Sequence, residues 1–361
     1  MIKPLTSLRF FAIFLVFLSH LGFIRAVPAY RYIFDNIFDE GYLGVTFFFM
    51  LSGFVISYNY LRKFKIINSK YNKNFILKRI AHIYPLHFIT FFISLPLYIK
   101  DVLVNPIKNM IIALLNLLLL QSLVPKMSVY FSFNSVSWNL SVFMLLYLVT
   151  PILLNSINRF LDNYSYRLLP IVMIVIYFIA FIVIYFYKDS SANHWLFYIS
   201  PFFRIIDYTI GLLLGSLFIF IKDVRLKSLA FSLLEPAVLI LFIIVFVYHK
   251  NIHQTYRYGV YYMPIMAIII FVFAFQRGFI SKLLSTSILV ALGNISFSFY
   301  MIHQLIIKYF SVTFSHLKIP LDINTMSLFI ILTFLLSIFC SILSYKYFEG
   351  PLRNKMLKFV K

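Results

Sequence analysis

The sequence predicts an all-α, polytopic membrane protein, and three observations carry that prediction. Of 361 residues, 62% are hydrophobic and only 12% are charged. A soluble domain carries about a quarter charged residues, and a water-soluble core cannot absorb this much apolar surface. The apolar residues also fall into runs near the roughly 20 residues that a bilayer-crossing helix needs. Finally, the net charge of +21 comes from Lys and Arg clustered between those runs. That is membrane-flanking charge rather than a basic face for nucleic acid.

The runs lie near 6–26, 42–61, 83–99, 106–122, 138–157, 168–187, 203–221, 229–248, 260–276, 288–310 and 325–346. The first superficially looks like a signal peptide, but His20 interrupts it and Arg25 follows it, so it reads as a retained span. The basic stretch 62–79 reads as a cytoplasmic loop leading into an amphipathic helix. If all eleven segments cross, Lys and Arg divide 16 to 16 between the two sides. If 106–122, which carries Lys108 and ends at Gln121, dips in without crossing, 21 fall inside and 11 outside. The positive-inside rule favours the second arrangement: about ten spans plus one non-crossing helix, both termini cytoplasmic. Short loops leave no room for a separate soluble domain, so residues 1–361 are expected to form one membrane domain. The single Cys340 excludes an intramolecular disulfide and a cysteine-based metal site. No His-x-x-x-His or carboxylate cluster calls for a metal.

Ionisable residues inside apolar runs are functional candidates. Arg9 and His20 share the first run. At 100° and 1.5 Å per residue they fall on one face, roughly 16 Å apart. A histidine there suits general-base work on a hydroxyl, given its ordinary pKa of about 6.5, or it simply bonds a neighbouring helix. Arg79 and His82, one turn apart at the inner boundary, suit either a phosphorylated cofactor or lipid headgroups. Gly293, Ser296, Tyr300 and His303 share a stripe that must face other helices or a cavity, and helix packing is the simpler reading. Arg204 and Asp207 are expected to pair, with Gly211 and Gly215 in small-xxx-small spacing beside them. Glu235 has no evident role. Glu349 and Arg353 flank Pro351 as an end anchor.

Several stretches, in order, resemble the acyltransferase-3 family: SLRFFAIFLVFLSH (7–20), GYLGVTFFFMLSGFVIS (41–57), FILKRIAHIYPLH (75–87) and FNSVSWNLSVFMLLYLVTP (133–151). PFFRIIDYTIGLLLG (201–215), LGNISFSFYMIH (292–303) and FEGPLR (348–353) continue the series, so the resemblance runs from about 5 to 355, and a form without a fused SGNH domain is expected. It implies a bacterial, multi-pass inner-membrane O-acetyltransferase taking its acyl group from cytoplasmic acetyl-CoA. The acceptor would be a carbohydrate hydroxyl, on O-antigen, capsule or exopolysaccharide, with the lipid bilayer as the other partner and no nucleic acid. It matches His20 to the essential histidine, and Arg9, Arg79 and His82 to acyl-CoA binding. Ser52, Trp138, Asn139, Ser141, Tyr300 and His303 become substrate or cavity residues. Two positions depart from the pattern: His82 replaces the second arginine of the cytoplasmic motif, and Phe143 replaces the usual glutamate. Either that acid is dispensable, or another such as Glu235 substitutes, or activity is impaired. A transporter, flippase or polymerase of lipid-linked sugars, or an inactive homologue, are the rival readings.

Overall fold

A computed structural model describes residues 2–64, 69–224 and 228–358, with side chains at 69 and 70 left aside. The basic clusters used above for orientation run partly through 65–68, 225–227 and 359–361, outside the described residues. The described residues contain helices and no strand. The longer helices are α1 (Lys3–Ser19), α2 (Leu43–Tyr60), α3 (Ser69–Val104), α4 (Pro106–Leu117), α5 (Trp138–Asn163) and α6 (Leu169–Tyr187). They are followed by α7 (Pro201–Ile221), α8 (Ser228–Val247), α9 (Met263–Ala274), α10 (Phe279–Leu284) and α11 (Ser287–Asn294). The last are α12 (Ser296–His316), α13 (Ile323–Leu343) and α14 (Gly350–Lys358).

Among these residues, eight helical stretches are long and apolar enough to cross a membrane, or nine if α11 and α12 form one bent span. The sequence count was about ten, and the difference lies at 260–276. There the helix is α9 alone, 12 residues, or about 18 Å against a hydrocarbon core of about 30 Å. Pro264 sits in its first turn and Gln276 takes a left-handed φ of 59° just past its end, which fixes both limits. The 106–122 segment is also a 12-residue helix, closed by Leu119 at φ 56°. Its Ile107, Met110 and Leu114 are exposed while Ile112 and Asn116 are buried. Such a short, one-faced helix fits the expected non-crossing element.

The chain divides into two compact units. The first comprises Met1–Phe10, Val45–Lys73 and Leu145–Asn294. In it α2 and α7 meet backbone to backbone: a methyl group at Gly211 would fall on the Met50 carbonyl oxygen, and one at Gly53 on that of Tyr208. The small-xxx-small spacing therefore serves close approach, as expected. Hydroxyl pairs seal the contact, Ser57 to Ser216 at 2.8 Å and Thr150 to Tyr208 at 2.6 Å. Glu235 also finds its role here. Its carboxylate accepts the backbone N–H groups of Gly278 and Ser281, at 3.0 and 2.9 Å, and the Ser281 hydroxyl. It caps the start of α10, where orphan N–H groups need an acceptor.

The second unit comprises Phe11–Gly44, Asn74–Met144 and Ile295–Lys361. Gly41 and Gly44 lie against the α1 backbone at Leu15 and Ala12. α12 packs along α13, and Phe17, Phe299 and Phe334 form a ring cluster with centroids 5.5 to 6.0 Å apart. α3 is a single helix of 36 residues. The Arg79–His82 turn therefore belongs to the same rod as the span that follows it.

Candidate active site

The α-helical geometry of α1 stops at Ser19, and His20 is the first residue past it. The backbone N–H of His20 bonds to the Phe17 carbonyl and that of Leu21 to Leu18, a tightening to three-residue turns. A short 3-10 stretch, Gly22–Ala26, completes the span. α1 therefore carries Arg9 within its α-helical part, while His20 follows one tightened step past its end.

His20 meets His303, which sits within α12. Nδ1 of His20 is 2.9 Å from Nε2 of His303. The two rings stack with centroids 5.1 Å apart and planes 26° from parallel. His303 is fully buried, whereas His20 keeps part of its surface open. Nε2 of His20 makes no hydrogen bond among the described residues, which leaves one ring nitrogen unengaged there. Phe299 stacks on His303 at 5.7 Å and Phe17 meets its edge at 6.1 Å.

The stripe expected through Gly293, Ser296, Tyr300 and His303 is broken. α11 and α12 bend by 60° at Ile295, and Gly293 turns to the Thr6 backbone within the first unit. Tyr300 instead donates its hydroxyl to the Val136 carbonyl at 2.9 Å. Ser141 bonds the Leu119 carbonyl at 2.6 Å and the Ser122 hydroxyl at 2.7 Å. Both are therefore engaged in holding the loop between α4 and α5. Trp138 and Asn139 are buried at the start of α5. Ser52 lies in the first unit, 3.5 Å from the Tyr147 hydroxyl. Of the cavity residues expected from sequence, His303 is the one whose hydrogen bond and ring contact with His20 are seen among the described residues.

Elsewhere in the second unit, Nδ1 of His82 is 3.6 Å from the Glu349 carboxylate, which also accepts the Ser298 hydroxyl at 2.6 Å. Glu349 is thus an anchor, but to Ser298 and His82. Arg79, one turn before, is half-buried with its guanidinium 5.1 Å from the Phe75 ring. Arg9 belongs to the first unit. Phe143 is half-buried on α5. Sequence reasoning overlooked Lys308, whose ammonium donates to the Tyr98 hydroxyl at 3.2 Å and the Phe133 carbonyl at 3.4 Å. Its position inside an apolar run was the available signal. A concavity of about 720 Å³, bounded by Asn105, Lys108, Ile112, Lys126 and Val129, opens in the same unit and does not include His20. No group of three metal-ligating side chains occurs among the described residues.

A family model described as "Acyltransferase domain" matches residues 3–346. The chain belongs to the acyltransferase-3 family. Acyltransferase MdmB of Streptomyces mycarofaciens is 31% identical over 159 residues, which is 42% of this chain and 38% of that relative. The chain therefore spans well under half the length of the curated relative it matches. No solved structure matches. Family membership and the apolar helices agree on a multi-pass membrane protein.

Proposed function

We propose that this acyltransferase-3 protein is a membrane-bound O-acyltransferase. It moves an acyl group, acetyl in the simplest case, from cytoplasmic acyl-CoA to a hydroxyl of a cell-surface or lipid-linked carbohydrate. Both compact units serve that one acyltransferase domain, placed in a bacterial inner membrane with the basic clusters inside. The observation that carries the reading is a half-open imidazole, His20, held from behind by a buried one, His303.

In this reading His20 is the general base. It takes the proton of the acceptor hydroxyl while the oxygen attacks the thioester carbonyl. The C–S bond breaks, the thiolate leaves, and the proton on His20 passes to it, giving the ester and free CoA thiol. Arg79 grips the CoA phosphates, since a guanidinium matches phosphate geometry. His82 faces Glu349, so it offers the donor at most a neutralised partner. Arg9 is assigned to the donor by its place in the first motif alone. An apolar ring at Phe143 cannot orient a base, which leaves His303 as the group that does.

The test is acetyl-CoA-dependent thiol release by purified protein in proteoliposomes, paired with mass spectrometry of surface glycans. Wild-type cells should carry an acetyl mass increment that deleted and His20→Ala cells lack. Turnover should fall by about 10²–10⁴-fold in His20→Ala. Full transfer by His20→Ala would end the assignment. Acyl-CoA binding without thiol release in the wild type would favour an inactive homologue.

A further inference from the structure

His303 has both ring nitrogens committed. Its Nδ1 stands 2.9 Å from the carbonyl oxygen of Phe299, one turn earlier on α12. A carbonyl oxygen only accepts, so the proton of a neutral His303 sits on Nδ1 and the lone pair on Nε2. That Nε2 faces Nδ1 of His20 at 2.9 Å. The hydrogen bond between the rings then exists only if Nδ1 of His20 donates. With its proton on Nδ1, His20 carries its lone pair on Nε2, the nitrogen that no described residue occupies.

We propose that His303 is a positioning residue that fixes the tautomer and orientation of His20, so that Nε2 is the atom that receives the hydroxyl proton. The inference rests on the acyl-transfer reading above and names the atom through which it works. The opposite tautomer of His20 would set two lone pairs face to face at 2.9 Å with no proton between them. The turn that carries His303 is itself pinned. Tyr300 donates to the Val136 carbonyl at 2.9 Å, and the Asn134 amide donates to the Met301 carbonyl at 2.9 Å. The rings of Phe299, 9° from parallel, and Phe17 leave the His303 imidazole no room to turn. The chain Phe299 carbonyl, His303, His20 is thus a relay of orientation that joins one turn of α12 to a residue 283 positions away in sequence.

Two arms test it on the full-length protein in lipid nanodiscs. The first is nitrogen NMR of histidine-labelled protein, with His20 assigned by its disappearance in His20→Gln. The expected result is a protonated Nδ1 and an unprotonated Nε2 on His20, with the two forms mixed in His303→Leu. A His20 protonated on Nε2 in the wild type would overturn the proposal. The second arm compares kcat for acyl transfer. His303→Leu removes the acceptor, and kcat should fall by about 10- to 100-fold, as loss of an outer partner does at other sites, with KM for acetyl-CoA unchanged. His303→Gln restores an acceptor oxygen and should recover most of that loss. Equal loss in both variants, tracking equal loss of thermal stability, would make His303 a structural clip and overturn the proposal. The NMR arm reads the tautomer whether or not the protein turns over, so absence of thiol release in the wild type overturns only the acyl-transfer reading.

Discussion

Each compact unit holds a polar cluster among its helices, Arg204 in the first and His20–His303 in the second, and the donors of the two are finished in opposite ways. In the first unit Arg204 is fully buried and every N–H is used. Nε donates to the Tyr198 carbonyl at 2.8 Å, Nη1 to Asp207 and to the Thr46 hydroxyl at 3.3 Å, and Nη2 to the Phe197 and Tyr258 carbonyls. A guanidinium has five donors, and five acceptors meet them. In the second unit the His20–His303 pair stops one partner short, at an imidazole that stays half-open. Charge or polarity inside an apolar run does not by itself mark a reactive group. A guanidinium whose five donors are all met has none left to offer a ligand, although Oδ1 of its partner Asp207 accepts no hydrogen bond among the described residues. A reactive cluster must keep an atom unsatisfied and reachable.

The largest effect that would break this contrast is at Arg204. Arg204→Met leaves Asp207 buried beside no cation, a change that typically costs about 3–5 kcal/mol. Thermal unfolding in detergent should register that loss. The double variant Arg204→Met/Asp207→Leu should recover much of it, because no uncompensated charge remains. His20→Ala should leave the unfolding temperature close to wild type while cutting transfer by about 10²–10⁴-fold. If Arg204→Met melts normally yet loses turnover, the sealed cluster is part of the chemistry and the distinction collapses.

How much of this could be read in advance follows from which interactions are local. The spans were legible because apolar length is a one-dimensional property. The Arg204–Asp207 pair and the Gly211–Gly215 contact were legible because three- and four-residue spacings put side chains on one helix face. His20 stood out as a polar group in an apolar run. His303 was also named, in a polar stripe and as a cavity residue, but not as the partner of His20, since it lies 283 residues away and their meeting depends on how α1 and α12 pack. Glu235 was opaque for the same reason: the N–H groups it accepts lie 43 and 46 residues on. The break at Ile295 and the early end of α9 carry no strong sequence signal, and Pro264 marks only where α9 starts. They lower the number of described helices long and apolar enough to cross a membrane, and split a stripe that looked continuous.

Glu235 sharpens the comparison at smaller scale. It is the acid considered above as a substitute for the glutamate missing at Phe143, yet both its oxygens serve the start of α10. Glu235→Gln keeps one acceptor oxygen and turns an amide donor toward an N–H group. The lost bonds should cost about 1–3 kcal/mol, read as a lower unfolding temperature, with kcat per folded molecule unchanged. A fall in kcat at equal folded fraction would instead place Glu235 in the reaction and show that its bonds are not exclusive.

His194, which lies between two spans beside the Arg204 cluster, gives the smallest effect at neutral pH. Its ring packs against Tyr198 and Tyr258, each at 5.4 Å. Burial, and then the Arg204 charge, push its pKa down to about 4. The unfolded chain would titrate near about 6.5, so between those values it binds a proton that the folded protein refuses. Stability is therefore intact above that window and falls as pH drops through it. His194→Gln removes the titrating group, so its acid-side decline from about pH 6.5 to about pH 4 should be shallower than that of the wild type. The measurement is unfolding temperature against pH for the two proteins. Identical slopes would mean that His194 takes up its proton freely in the fold, and that the cluster around Arg204 is less tightly sealed than its five filled donors imply.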